Sequence, residues 1–290
     1  MRKIRIFVHT HRPKVSVSAI RKVIHRSGVN YSNKCPDIAI IVGGDGSFSY
    51  YGRKLDIPML FVGVEDLPIL GSKARLAEIF FHHLHEALVD IKAGNFTIEE
   101  KRLFSIKING HKIYHVLTDI YLERGVFSGC IRYAVSINNT ENFSSKKFTD
   151  LAIGNGVIVS TSFGAGGYYS YPSRVISSKH ITKNNTIFPD NRLGICHILP
   201  TFLVRKEIKG KDDDDKNNNY IHRKKFIQYT VPFNSIIQIN LIRQADVRLY
   251  GISEDSKGIR IGSKDKITIG PSNRTAKIIR LNKNKKKNYN

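Results

Sequence analysis

Short apolar runs and helically spaced apolar residues alternate along the first hundred positions of the chain. Residues 38–42 are five consecutive apolar residues, mostly β-branched, and residues 58–64 contain a second run that meets a glycine. Such runs are typical of parallel strands that are buried on both faces. Helical spacing marks residues 17–24, closed by Gly28, and a longer helix whose apolar face comprises Leu76, Phe80, Leu84, Leu88 and Ile91. The alternation predicts a doubly wound parallel α/β domain.

After residue 100 the apolar residues alternate with polar ones, as in strands with one buried face. Residues 104–108 alternate, Asn109-Gly110 is a strong two-residue hairpin turn, and residues 112–117 predict the partner strand. Further strands are predicted at residues 120–123, 132–137, 156–160, 226–229, 236–242, 267–269 and 278–281. The second half is therefore expected to be mostly β, and residues 283–290 are expected to be a disordered basic tail.

Two glycine-rich turns follow predicted strands, one in each half of the chain. The first, residues 43–46, reads Gly-Gly-Asp-Gly, and Asp45 is its reactive side chain. Glycines at the carboxyl end of a parallel strand let the backbone approach a phosphate, and a helix over residues 47–55 would direct its free amides at an anion there. The second turn lies within residues 156–170 and combines hydroxyls with glycines. Together the turns predict a ligand between two domains.

Each turn also has a purely structural interpretation. The first could be a tight connection in which Asp45 caps the following helix. The second could be a glycine-rich bend in a sheet. Short glycine motifs alone do not decide between these alternatives.

Composition places the chain among ordinary soluble globular proteins, with 41% apolar and 24% charged residues. No apolar run approaches a membrane span, and the polar start leaves no room for a signal-peptide core, so a cytoplasmic protein without membrane contact is expected. The formal net charge of +23 implies attraction to polyanions. Because no helix-turn-helix, zinc-finger or RNP-type pattern accompanies that charge, a dedicated nucleic-acid site is disfavoured.

Candidate metal ligands occur in three places, and none of them predicts a permanent metal site. The three cysteines have no paired spacing. His82, His83 and His85 lack a nearby carboxylate or cysteine in the sequence that would complete a site. The four aspartates at residues 212–215 belong to a hydrophilic insertion, where a solvated loop is expected because like charges in series repel.

Four segments resemble the NAD kinases, which transfer a terminal phosphoryl group to the 2′-hydroxyl of the adenosine ribose of NAD. Residues 43–46 look like the family's first signature, and residues 116–125 are similar to its Leu-Asn-Glu segment and Arg-Gly end. Residues 160–168 resemble its Ser-Thr-Pro-Thr-Gly-Ser-Thr-Ala-Tyr loop. Residues 253–256, followed by 261–267, resemble its Asp-Gly segment and closing strands. The order of the motifs is preserved over nearly the whole chain.

The resemblance implies an NAD kinase-like fold and a set of site residues. Residues 1–100 would form the doubly wound domain, residues 101–265 a β-sandwich-like nucleotide-binding domain, and residues 266–282 strands that return to the first domain. Asp45 would be the catalytic general base. The nucleotide-binding residues would be Gly43, Gly44, Gly46, Ser47, Thr118, Asp119, Asn155, Thr161, Gly164, Ala165, Gly167 and Tyr168.

The resemblance also implies substrates and an assembly. NAD would be the acceptor, ATP or polyphosphate the donor, and Mg2+ would arrive with the donor's phosphates. The oligomeric states typical of the family imply a homodimer or a homotetramer.

Departures from the family pattern keep two other functions open. Thr118 replaces the Asn of the Leu-Asn-Glu segment, while Asp119 retains its acid. Asn155 stands where many members have Asp, and Ala165 with Gly166 removes two hydroxyls. Because a lost ligand partner can cost roughly 1–3 kcal/mol, a catalytically weak or inactive nucleotide-binding paralogue is the first alternative. The second is a related kinase acting on a lipid or polyol, since diacylglycerol and sphingosine kinases carry a similar Gly-Gly-Asp-Gly turn.

Overall fold

The computed structural model describes residues 3–8, 15–32, 34–64, 74–127, 129–138, 147–172, 188–208, 220–221, 227–252 and 257–282. The acidic insertion at 212–215, the motif segment at 253–256 and the tail at 283–290 lie outside the described residues. The chain divides into two compact units, one of Met1–Lys101 with Thr275–Asn290 and one of Arg102–Arg274.

The first unit is built on parallel strands. Its elements are β1 (Lys3–Val8), α1 (Val17–Arg26), β2 (Asn30–Tyr31), β3 (Ile38–Gly43), α2 (Asp45–Gly52), β4 (Met59–Gly63), β5 (Ile79–Phe80), a 3-10 turn (Phe81–His83) and α3 (Leu84–Ala93). Strands β2, β1, β3, β4 and β5 are neighbours in that order, and each adjacent pair is parallel. The last strand, β19 (Lys266–Leu281), also pairs in parallel with β4, through Ile278 and Met59.

Helices cover both faces of this parallel sheet. Leu60 and Val62 of β4 belong to the same buried apolar cluster as Ile24 of α1 and the apolar residues of α3. Phe61 lies between them and points to the opposite face, because side chains alternate along a strand. Its ring stacks on Phe48 of α2, with centroids 4.6 Å apart. The predicted doubly wound α/β domain is confirmed, and burial on both faces explains the continuous apolar runs.

Two helices begin at other residues than predicted. The helix after the first glycine turn covers Asp45–Gly52 rather than 47–55, so the acid of the turn lies in its first turn. The second, α3, begins at Leu84, and residues 76–78 instead belong to a turn that leads into β5. Their helical spacing was misleading because β5 pairs with β4, and tertiary pairing overrides a weak local preference.

The predicted end of α1 at Gly28 is confirmed, and α3 ends in the same way. Gly94 follows α3 and Gly28 follows α1, and both adopt the left-handed backbone conformation with φ of 81° and 64°. Glycine is the residue that takes this conformation without a steric penalty, and it stops each helix there.

The second unit is built on antiparallel strands. After β6 (Phe96–Ile108), which begins in the first unit, its strands are β7 (Lys112–Val116), β8 (Asp119–Arg124), β9 (Ile131–Asn138), β10 (Lys147–Gly154), β11 (Gly156–Thr161), β12 (Arg192–Ile198), β13 (Phe202–Ile208), β14 (Tyr220–Ile221), β15 (Gln228–Pro232), β16 (Ile236–Leu241), β17 (Val247–Tyr250), β18 (Ile259–Ile261) and β19. The predicted hairpin between β6 and β7 is confirmed, but its turn has three residues rather than two, because Ile108 pairs with Lys112. Asn109 and Gly110 in this turn have φ of 54° and 77°.

Two sheets of this unit enclose one apolar core. One has the strand order β14-β13-β10-β9-β16-β19 and the other β15-β12-β11-β8-β17-β18, with antiparallel neighbours throughout. Val135 and Ile237 of the first sheet belong to the same buried cluster as Leu122 and Val159 of the second. The sandwich-like, β-rich second half is therefore confirmed.

Several strands of the second unit were not predicted. The apolar pattern did not indicate β10, β12, β13, β17 or β18, and the separate strands predicted at 267–269 and 278–281 are one strand, β19.

Among the helices that the structure describes, none combines the length and the hydrophobicity needed to cross a lipid bilayer.

Candidate functional site

The first glycine turn connects the carboxyl end of β3 to the first turn of α2. Gly44 takes the N-cap position in an extended conformation, and no side chain caps the helix. The amides of Ser47 and Phe48 donate to the Gly44 carbonyl over 3.0 and 3.2 Å. The structural alternative in which Asp45 caps this helix is therefore wrong, because Asp45 is already its first residue.

The Asp45 carboxylate is held from outside its own helix, and the glycine that follows it borders open space among the described residues. Its Oδ1 accepts a hydrogen bond from the Leu76 amide, 2.9 Å away. Gly46 is exposed, and no neighbouring group of the described residues lies within 4 Å of the position that a Cβ on it would occupy. Ser47, in contrast, is only 4% exposed. The turn thus presents one oriented carboxylate next to a glycine that other groups can approach closely.

The second glycine turn follows β11 and packs against the segment before β8. The Thr161 hydroxyl donates to the Leu117 carbonyl at 2.7 Å and accepts a hydrogen bond from the Gly164 amide at 3.1 Å. A Cβ on Gly164 would stand 2.6 Å from the Thr118 carbonyl oxygen, so a side chain does not fit there. Thr161 and Gly164 therefore hold two segments of the protein together.

Tyr168 and Asp119 lie next to this second turn. The Tyr168 hydroxyl donates to Glu123 Oε1 at 3.1 Å, and its ring meets the Tyr121 ring edge-on with centroids 5.2 Å apart. Burial, followed by the charge of Glu123, raises the pKa of Tyr168, so the phenol remains protonated at neutral pH. Asp119 Oδ2 lies 3.6 Å from the place that a Cβ on Gly167 would occupy. The second unit thus brings Asp119, Gly167 and Tyr168 together.

Comparisons with known proteins bear on the family. No family model matches the chain. The chain is 35% identical over 138 residues to an NAD kinase of Clostridium perfringens, which is 46% of this chain and 45% of that protein. It is 30% identical over 142 residues to an NAD kinase of Nitrosomonas europaea, with 47% and 44% covered. The resemblance to the NAD kinases is confirmed. The chain spans less than half the length of these curated relatives.

A solved structure supports the NAD kinase-like fold. The crystal structure of yeast NADH kinase complexed with NADH matches 98% of this chain and 84% of its own, with a TM-score of 0.64 and 13% sequence identity. At that identity the likeness concerns the fold alone. The predicted fold class, a doubly wound α/β domain followed by a β-rich domain of NAD kinase type, is therefore confirmed.

One departure from the NAD kinase pattern has a local structural reason. Ala165 is 2% exposed, and it belongs to a buried apolar cluster with Ile158 and Cys196. Burial in this cluster raises the pKa of the Cys196 thiol to about 12. A hydroxyl at position 165 would face apolar side chains, where an unpaired polar group is costly. The missing hydroxyl thus suits the packing of the loop.

Another departure lies at the start of β11. Asn155 precedes β11, whereas Thr161 ends it, so the two are separated by roughly 20 Å at about 3.3 Å per residue. The Asn155 carbonyl accepts a hydrogen bond from the Arg124 amide at 3.0 Å, and its amide donates to the Ile198 carbonyl at 2.9 Å. Arg124 directly follows Glu123, which accepts the hydrogen bond from the Tyr168 hydroxyl and pairs with Gly156, so the structure places Asn155 near that contact.

A buried charged network in the second unit was missed from the sequence. Asp150 is fully buried and accepts hydrogen bonds from Arg205, at 2.7 and 2.9 Å, and from the Tyr229 hydroxyl at 2.6 Å. His197 lies between Asp150 and Tyr133, with its ring nitrogens 3.3 and 2.9 Å from their oxygens. Burial opposes the charge of Asp150, but the Arg205 and His197 hydrogen bonds outweigh it and lower its pKa. The sequence offered no signal for the network, because the apolar pattern did not indicate β10, the strand that contains Asp150.

The histidine run at the start of α3 contacts protein groups. His85 Nδ1 lies 3.0 Å from the Ser27 hydroxyl, and the rings of His82 and His83 are 4.0 Å apart. Over the described part of the chain, no group of three or more His, Cys, Asp or Glu side chains is placed to hold a metal ion.

Proposed function

We propose that this chain is a kinase that phosphorylates the 2′-hydroxyl of the adenosine ribose of NAD to give NADP, with ATP or polyphosphate as donor. The observation that carries the proposal is the similarity to NAD kinases in a chain whose Asp45 stands at the carboxyl end of a buried parallel strand. In open α/β sheets, that end of the strands is where ligands bind.

In the proposed reaction Asp45 acts as general base. It takes the proton of the ribose 2′-hydroxyl as the hydroxyl oxygen attacks the terminal phosphorus of the donor. The bond from that phosphorus to the bridging oxygen breaks, and ADP or a shortened polyphosphate leaves with the bonding electron pair. Phosphoryl transfer depends mainly on positioning and charge stabilisation, and Mg2+ that enters with the donor supplies the latter. The hydrogen bond from the Leu76 amide to Asp45 Oδ1 contributes to the positioning of the base.

Glycines of the first turn leave room for the donor. Gly43 and Gly44 present backbone rather than side chains at the strand end, and Gly46 has open space in front of it among the described residues. Ser47 is too buried for its side chain to reach that space, and its amide already donates to the Gly44 carbonyl, so a contact of Ser47 with the nucleotide stays a prediction.

The second unit supplies the proposed dinucleotide contacts. Asp119 and Tyr168 would contact the nucleoside of NAD, with Gly167 allowing the backbone to come close to it. Thr161 and Gly164 would support these residues indirectly, because their hydrogen bonds and close packing hold the turn in place.

Three further features stay predictions. Thr118, Asn155 and Ala165 complete the nucleotide-binding set taken from the resemblance. A homodimer or homotetramer is the predicted assembly, and the cytoplasm is the predicted location.

One assay tests the proposed function. Purified protein is incubated with NAD, Mg2+ and either ATP or polyphosphate, and NADP is measured with an NADP-specific dehydrogenase. We expect NADP from the wild type, and we expect Asp45→Asn to lower kcat by about 10²- to 10⁴-fold, the usual contribution of a general base. Asp37→Asn is the matched control, because this exposed carboxylate precedes the same strand at its opposite end. It should leave kcat unchanged.

The other outcomes identify the alternatives. NAD binding measured by calorimetry without NADP formation would indicate a nucleotide-binding protein without catalysis. If neither binding nor turnover of NAD occurs, the NAD kinase proposal is wrong, and lipid and polyol acceptors become the substrates to test.

A further inference from the structure

The segment of residues 74–80 touches Asp45 and has an unusual backbone. Ala74 is a buried alanine with φ of 41°, in the left-handed region that non-glycine residues seldom adopt. Its carbonyl accepts a hydrogen bond from the Ala77 amide at 3.1 Å, which closes a turn. Leu76, inside that turn, donates its amide hydrogen to Asp45 Oδ1 at 2.9 Å. The turn therefore places one backbone donor on the carboxylate.

The turn is anchored at Glu78, directly before β5. The Glu78 amide donates to the Phe61 carbonyl of β4 at 2.9 Å. The Glu78 side chain is 1% exposed, and its Oε2 accepts a hydrogen bond from Arg280 Nη1 of β19 at 2.9 Å. Its Oε1 accepts the Leu281 amide at 3.0 Å. Both carboxylate oxygens thus hold the last strand of the chain.

Arg280 is held in turn by a second carboxylate. Its Nε donates to Glu99 Oε2 at 2.6 Å. Burial works against the charge of Arg280, but the hydrogen bonds to Glu78 and Glu99 outweigh it and raise its pKa. A guanidinium with two carboxylate partners has a fixed orientation, because its donors lie in one rigid plane.

We propose that Glu78 and Arg280 are positioning residues for Asp45. The ion pair fixes the turn at 74–78 to β19, and the turn fixes the carboxylate through the Leu76 amide. A backbone conformation that costs energy, as at Ala74, persists where surrounding contacts determine it, and such conformations cluster at functional sites. The inference rests on the proposed function, since the purpose of the arrangement is to orient a general base.

The first test measures the Leu76 contact without any enzymatic assay. Amide hydrogen exchange of Leu76 is followed by NMR in wild type, Glu78→Gln, Arg280→Lys and Asp45→Ala. Asp45→Ala removes the acceptor and defines fast exchange. We expect Glu78→Gln to accelerate exchange by about tenfold or more. Arg280→Lys should have a smaller effect, because lysine keeps the positive charge but lacks the planar set of guanidinium donors.

Glu100→Gln is the matched control. Glu100 is an exposed carboxylate next to Glu99, and it also bonds β19, through the Thr275 hydroxyl at 3.3 Å. It should leave Leu76 exchange unchanged. If folded Glu78→Gln protein shows wild-type exchange at Leu76, the proposal is overturned. If Glu78→Gln does not fold, wild-type exchange at Leu76 in Arg280→Lys overturns the proposal instead.

The second test asks whether the contact serves catalysis. We expect Glu78→Gln to lower kcat by up to about a hundredfold, as small misplacements of a catalytic group do, with KM for NAD within twofold of the wild type. A merely structural role would lower the amount of folded enzyme and leave kcat per folded molecule unchanged, which contradicts the proposal. If the wild type forms no NADP, the proposed function fails, while Leu76 exchange still reports whether Glu78 orients Asp45.

Discussion

The two glycine-rich turns look alike in sequence and differ in what surrounds their glycines. At Gly46 in the first unit, a methyl group would meet no neighbouring group of the described residues within 4 Å. At Gly164 in the second unit, it would stand 2.6 Å from the Thr118 backbone. Glycine leaves room for an incoming group in the first case and for the protein's own chain in the second. A glycine motif therefore indicates binding only once the space around it is known.

The carboxylates of the two units differ in the same way. Asp45 is half-buried and is oriented by a backbone amide. Asp150 is fully buried and neutralised by Arg205, with further hydrogen bonds from Tyr229 and His197. A buried carboxylate that an arginine neutralises stabilises the fold, whereas a partly exposed carboxylate can reach a substrate's proton.

The largest effect on stability is expected at Asp150. Asp150→Asn should lower the free energy of unfolding by about 3–5 kcal/mol, because Arg205 would keep a buried charge without its partner. Urea unfolding followed by tyrosine fluorescence measures this, since the chain has 13 Tyr and no Trp. Asp265→Asn is the control, because its carboxylate is only partly buried and accepts its hydrogen bonds from the neutral Gly262 amide and Asn109 side chain. Equal losses in the two variants would contradict the structural role of the network.

The stability loss in the same variant is expected to depend on pH. The pKa of Asp150 is lowered in the folded protein, so its contribution to stability is fully present above the unfolded value of about 3.9 and is lost as the pH falls below it. The stability difference between wild type and Asp150→Asn should therefore be larger at pH 6 than at pH 3. Urea titrations at both pH values measure the difference, and a constant difference would show that ionisation of Asp150 is not involved.

An intermediate effect is expected at the packed glycine. Gly164→Ala should destabilise the protein by about 1–3 kcal/mol, because the added methyl overlaps the Thr118 backbone. Gly129→Ala is the matched control in the same unit, since a methyl there meets no described neighbour within 4 Å. Thermal unfolding of the two variants compares them directly. Wild-type stability of Gly164→Ala would mean that the turn has room for a ligand after all.

The smallest effect on stability, and the opposite sign, is expected at the open glycine. Gly46→Ala should leave the protein as stable as the wild type or more stable by about 0.5–1 kcal/mol, because alanine favours the helix. Its kcat/KM for the phosphate donor should fall by about tenfold, equivalent to about 1.4 kcal/mol, because the methyl occupies the proposed donor site. Unchanged kcat/KM would place the donor elsewhere.

Much of the fold could be predicted because its signals are local. The five apolar residues before Gly43 define a strand buried on both faces, and Asn109-Gly110 defines a hairpin. The start of α3 could not be predicted, because Leu76 and Phe80 have helical spacing while β5 pairs with a strand fifteen or more residues away. The hydrogen-bond network around Asp150 could not be predicted either, because its partners come from other strands of the second unit.

For the candidate site, motif chemistry singled out Asp45 and Tyr168 but not their partners. Leu76 belongs to no motif, and Glu123 lies in the motif segment 116–125 without having been singled out; each is identified only by the atom that it contacts. Thr161 illustrates the converse, because its hydroxyl belongs to a recognisable motif and turns out to bond the protein itself.

Residue order and periodicity were sufficient to define a doubly wound half, a β-rich half and two glycine turns, since each is encoded by neighbours within a few positions. Three-dimensional packing alone decided which glycine is open, which acid is neutralised and which backbone amide orients Asp45. The physical reason is that these properties depend on distances of about 3 Å between groups far apart in the chain, and local patterns do not specify such distances.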